Sequence, residues 1–85
     1  MKLKFENSTG KDLQFCIEPF LNYIDWGKGR FIDVELRQIT DKYDDELNLA
    51  LTDNILILYE CRQYETKIFV DGNLMYSTPG DHYLQ

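Results

Sequence analysis

Apolar and polar residues alternate with period two along much of this chain, the mark of strands that rest one face on a core. Lys2-Leu3-Lys4-Phe5-Glu6 turns Leu3 and Phe5 one way and its charges the other. The turn formers Asn7–Asp12 follow, and then Leu13, Phe15 and Ile17 alternate with Gln14, Cys16 and Glu18 until Pro19, which has no N–H for a ladder. Ile32, Val34 and Leu36 alternate with Asp33, Glu35 and Arg37, and Leu47, Leu49 and Leu51 alternate with Asn48 and Ala50. Ile55–Tyr59 is apolar throughout, which reads as a strand that is central or covered on both faces. The strongest local signal is Asp71-Gly72 between Glu65–Val70 and Leu74–Thr78. A type I′ turn needs positive φ at both central residues, so this pair predicts an antiparallel hairpin. Its consecutive apolar residues Ile68-Phe69-Val70 and Leu74-Met75-Tyr76 predict that both arms lie well inside a sheet.

These runs predict an all-β chain: one antiparallel β-sandwich of about seven short strands, immunoglobulin-like or a related small sandwich, with little or no helix. Residues 1–85 make a single domain, since a second core would need a longer chain. The competing reading is a helix over 44–58, but Leu49, Ile55 and Ile57 spoil its apolar face and Asp53-Asn54 is poor helix interior. Two stretches break the alternation. Phe20–Arg30 reads as an aromatic-rich irregular loop, and Gln38–Glu46 as a polar, acidic one.

Charge narrows the function. Nine Lys and Arg against fifteen Asp and Glu leave a formal charge of −6, which disfavours nucleic acid and anionic membranes and favours a basic protein partner. No apolar run reaches the roughly 18 residues of a membrane span and no signal peptide opens the sequence, so a cytoplasmic location is expected. In that compartment Cys16 and Cys61 are expected to be reduced.

Cys16, Trp26 and Cys61, with Tyr59 two residues before the second Cys, resemble the disulfide, Trp and Tyr corner of an immunoglobulin domain. Strand parity, however, turns Cys16 away from Leu13, Phe15 and Ile17, off the face where that disulfide belongs. Asp41, Asp44, Asp45, Glu46 and Asp53 suggest calcium, yet an EF-hand counted from Asp41 would meet Tyr43 and Glu46 where it needs Asp or Asn and Gly. A solvated acidic loop is the simpler reading, and no metal or other cofactor is assigned. Catalysis has little to build on: His82 is the single histidine, and no triad spacing is present. The Gly10-Lys11 pair lacks the first P-loop glycine and the hydroxyl residue, so the chain is not read as an enzyme. Asn7-Ser8-Thr9 matches a glycosylation acceptor but reads as a turn.

The lead that remains is aromatic and acidic. Phe20, Tyr23 and Trp26 in the first loop, with Tyr43, Asp44, Asp45 and Glu46 in the second, make a composite surface in which rings supply buried area and carboxylates supply steering. The simpler reading is that several of these rings fold under the sandwich as a lid.

The segment Asn7-Ser-Thr-Gly10-Lys-Asp-Leu13-Gln-Phe-Cys-Ile-Glu18-Pro19, followed by Phe20, resembles small bacterial proteins to which no activity is assigned. They open with a short strand, an Asn-x-Thr-Gly turn and a strand ending in Glu-Pro-aromatic. The Ile68-Phe-Val-Asp-Gly72 hairpin is similar to theirs, whereas Trp26-Gly27-Lys28-Gly29 stands where they often carry Pro-Gly. The resemblance implies a β-sandwich and transfers no catalytic residue. The expected function is an acidic protein-interaction module, such as an immunity or antitoxin-like inhibitor that covers a cationic site on a toxin. The alternative is a carbohydrate-like ligand module with Tyr23 and Trp26 as a stacking platform, and an uncovered edge strand would allow a homodimer.

Overall fold

A computed structural model describes residues 1–19 and 22–78. Among them are eight strands and no helix: β1 (Lys2–Glu6), β2 (Leu13–Glu18), β3 (Asn22–Trp26), β4 (Phe31–Gln38), β5 (Asn48–Leu51), β6 (Ile55–Tyr59), β7 (Tyr64–Val70) and β8 (Asn73–Thr78). They form two four-stranded sheets, one in the order β1-β4-β7-β8 and the other in the order β3-β2-β6-β5.

Both sheets contribute to one apolar cluster. Leu13, Phe15 and Ile17 of β2, Ile24 and Trp26 of β3 and Leu58 of β6 meet Ile32, Val34 and Leu36 of β4 and Ile68 of β7. Rings lock the layers together. Phe15 lies 6.4 Å from Phe5 of the other sheet and 6.3 Å, edge to face, from Trp26.

Three expectations change. The strand beyond the expected seven is β3, which lies within the stretch read as an irregular loop. It pairs Leu13↔Trp26, Phe15↔Ile24 and Ile17↔Asn22, so its residues alternate faces like any strand. Tyr23 and Asp25 interrupt the apolar pattern of β3 only because they are its outward positions. The pairing is also not antiparallel throughout. β2 and β6 run parallel, with Phe15↔Leu56 and Ile17↔Leu58 in register, and the required crossover is the chain through β3, β4 and β5. This order departs from the immunoglobulin arrangement, whose sheets are antiparallel. Finally, the Asp71-Gly72 turn forms as expected, with φ of 49° and 85°, but only β7 lies inside its sheet. β8 is an edge strand, and Leu74 is 55% exposed. A run of apolar residues reports chemistry, not how many neighbours a strand will have. Leu49 and Leu51 of the edge strand β5 are exposed for the same reason.

Among the described residues no helix is long and apolar enough to cross a membrane. His82 lies outside the described residues.

Candidate functional site

The outer faces of the two sheets differ in charge. On the first, Lys2, Lys4, Arg37 and Lys67 alternate with Glu6, Asp33, Glu35 and Glu65, and the sum is zero. Most of these groups satisfy one another: Lys2 pairs with Glu35, Lys4 with Asp33, and Arg37 and Lys67 both with Glu65. Lys4 also lies 4.9 Å above the Phe31 ring. The whole formal charge of −6 therefore belongs to the rest of the chain.

The strands of the second sheet carry no Lys or Arg at all, and their two carboxylates, Glu18 and Asp25, both face outward. Register assembles that face in rows. Tyr23, Cys16, Ile57 and Ala50 cross it side by side, with Asp25, Gln14 and Ile55 on one side of that row and Glu18, Tyr59 and Asn48 on the other. Tyr23 is 51% exposed and Tyr59 42%. Cys16 faces outward, as parity requires, yet is only 1% exposed, because a small side chain between Tyr23 and Ile57 is overhung by its larger neighbours.

The thiol's environment makes it a floor rather than a nucleophile. Burial, and then the Glu18 carboxylate 3.9 Å from Sγ, raise its pKa and keep it protonated at neutral pH. Tyr23 is raised in turn by Cys16 first, then by desolvation and by Glu18. Cys61 is also free and buried; burial, then Asp45 and Glu60, raise its pKa.

The acidic loop is tied down. Asp45 accepts from Arg62 Nε at 2.9 Å, from Nη2 at 2.8 Å and from the Arg62 backbone N–H at 3.0 Å, while the guanidinium lies 4.0 Å over the Tyr43 ring. Those bonds hold Asp45 down to about 2. Gln63 Nε2 donates to the Asp45 carbonyl at 2.7 Å, and the Cys61 thiol to that of Glu46 at 3.2 Å. Of the acidic trio, Asp44 and Glu46 are exposed to solvent, whereas Asp45 and Tyr43 anchor the acidic loop to Arg62.

No family model, curated protein or solved structure matches this chain.

The residues singled out from sequence are thus dispersed. Tyr23 stands on the outer face of the second sheet. Trp26, expected in a loop, is 4% exposed in the core, where its indole N–H donates to the Arg30 carbonyl at 2.9 Å. Tyr43, Asp44, Asp45 and Glu46 belong to the acidic loop before β5, and Phe20 lies outside the described residues. Tyr23 and Trp26 point to opposite faces of β3, so they do not form one stacking platform. A cleft of about 520 Å³ does open beside Trp26, between Asp12, Asp25 and Arg30.

Sequence reasoning named Glu18 as a strand end and Tyr59 as a Tyr-corner position but placed neither of them, nor Ile57, on a binding surface. Alternation within Ile55–Tyr59 would have grouped Ile55, Ile57 and Tyr59, but which strand lies beside them is a tertiary fact. It also missed Asn7, buried at the mouth of the β1–β2 turn. Its Nδ2 donates to the carbonyls of Lys11 at 2.8 Å and Trp26 at 3.0 Å, and its Oδ1 accepts from the Thr9 N–H and hydroxyl. An Asx turn was legible in Asn7-Ser8-Thr9, but the bond to Trp26 was not.

Among the described residues no group of three or more His, Cys, Asp or Glu side chains is placed to hold a metal.

Proposed function

We propose that this protein is an interaction module that docks a basic partner on the outer face of its second sheet, in the manner of an immunity protein or antitoxin-like inhibitor. The observation that carries this reading is the composition of that face: exposed Tyr23 and Tyr59, apolar Ile55 and Ile57, the carboxylates Glu18 and Asp25, and no cation in any of the four strands. Rings of this kind dominate binding energy when covered, and unpaired carboxylates speed encounter with a positive surface. On the opposite face Asp33, Glu35 and Glu65 are engaged by that sheet's own lysines and arginines. Asp44 and Glu46 extend the negative field into the loop that leads to β5. This reading takes the two sheets as a small β-sandwich scaffold with no catalytic role of its own.

The test is affinity capture from the native host with three baits: wild type, Glu18→Lys/Tyr59→Lys on the second sheet, and Glu35→Lys on the first. The expected result is a basic protein retained by wild type and by Glu35→Lys, released by salt, and lost from the double variant. Restored growth when wild type, but not the double variant, is co-expressed with that protein would mark it as a toxin being inhibited. Equal retention of the same partner by all three baits would refute the docking face.

A further inference from the structure

We propose that Glu18, set between Tyr23 and Tyr59, is a seat for an arginine side chain of the partner, selective for a guanidinium over an ammonium group; this rests on the docking face described above. Parallel pairing places Glu18 directly beside Tyr59. Tyr23 is in register with Cys16, so Glu18 is its diagonal neighbour, within reach of a long side chain and an aromatic ring. Both rings are about half exposed, and Glu18 makes no ion pair among the described residues. Beneath it the Cys16 thiol lies 3.9 Å from Oε1, leaving the other carboxylate oxygen uncommitted to that contact.

The molecule already holds an occupied version of this seat. Arg62 stacks 4.0 Å over Tyr43 while Asp45 takes two of its guanidinium nitrogens at 2.8 and 2.9 Å. A carboxylate beside a tyrosine ring is there filled by a planar cation that stacks and bonds in fork geometry. The outer face repeats those components, with a second ring added and no internal arginine on its strands to fill it. An ammonium group would find the same charge, but it cannot stack or bond bidentately, so arginine gains where lysine does not.

The probes are N-acetyl-arginine amide and N-acetyl-lysine amide, titrated into the isotope-labelled full chain and followed by backbone and aromatic NMR. The arginine probe is expected to shift Glu18, Tyr23 and Tyr59 and to saturate at a concentration about fivefold lower than the lysine probe. Glu18→Gln should abolish those shifts. Tyr23→Leu with Tyr59→Leu should reduce the preference towards unity, and the same spectra report whether these variants remain folded. Equal response to the two probes, persistence of the shifts in Glu18→Gln, or shifts confined to other residues would each overturn the seat. The two proposals fail separately. Capture lost with Glu18→Lys/Tyr59→Lys but no arginine preference would leave the docking face standing and remove the seat. Capture unaffected by that double variant would remove the docking face, while the probe titration still reads the seat directly.

Discussion

Replacing Asn7 by alanine removes a side chain that ties the β1–β2 turn to the end of β3. Asn7 is almost fully buried, and its amide serves four partners: the Lys11 and Trp26 carbonyls and the Thr9 N–H and hydroxyl. Its backbone is engaged as well, with N–H to the Arg30 carbonyl at 3.0 Å and its carbonyl accepting from Gly29 at 2.9 Å, so the variant leaves the strand ends in place. The Trp26 carbonyl loses a partner where the bond is buried, at a cost of about 1–3 kcal/mol, and the more exposed bonds to Lys11 and Thr9 add about 1 kcal/mol together once water replaces them. The expected loss is about 3 kcal/mol. A chain of 85 residues is stable by roughly 4–13 kcal/mol, so that is a large share of the total. With m near ~1 kcal/mol/M in urea, the midpoint should fall by about 3 M, and the melting temperature by about 12–24 °C. Far-UV circular dichroism gives the transition, and the emission of the single, buried Trp26 reports the same event from the core. Asn7→Asp separates hydrogen bonding from lost volume, because the shape is kept while both donors are replaced by acceptors facing carbonyl oxygens. At pH 7 it should cost at least as much as alanine, and part of the loss should be recovered near pH 3, where a protonated carboxyl regains one donor. Wild-type stability of Asn7→Asp at pH 7, or an alanine loss below about 1 kcal/mol, would refute the assignment.

Two further outcomes are expected. The folded-state pKa of Asp45 lies below its ordinary value, so the stability from the Arg62 pair is complete above about pH 4 and disappears as pH falls towards about 2; carboxyl NMR should place the midpoint there, and Arg62→Ala should return it towards 3.8. Cys16 and Cys61 are buried and held protonated, so Ellman's reagent should react slowly with the native protein and count two thiols after unfolding without reductant; fast native reaction would contradict the outer-face floor.

Much of the fold was legible where a residue's own chemistry decides its conformation. Asp71-Gly72 needs no distant partner to turn the chain, and Leu13, Phe15 and Ile17 choose a face by parity alone. β3 was hidden because its inward positions hold Asn22, Ile24 and Trp26, too mixed a set to show alternation beside the outward Tyr23 and Asp25. The candidate site was less legible still. Tyr23 was singled out as an aromatic of a loop, whereas Glu18 entered only as the end of a strand and Tyr59 only as a Tyr-corner position; that they form one site was not legible, since they lie far apart in the chain and meet only through the parallel β2–β6 pair.

By itself the sequence determined that this is an all-β chain, that strands begin and end at particular turns, and that the molecule is acidic. Those properties follow from backbone preference, period-two burial and formal charge, all of which are local or additive. Only the tertiary structure decided which strands are edges, that Trp26 is core, that Asp45 is spent on Arg62, and that one outer face is neutralised by its own ion pairs while the other is left anionic and aromatic. Each of these depends on which strand lies beside which, and neighbours are chosen by burying the whole apolar set at once.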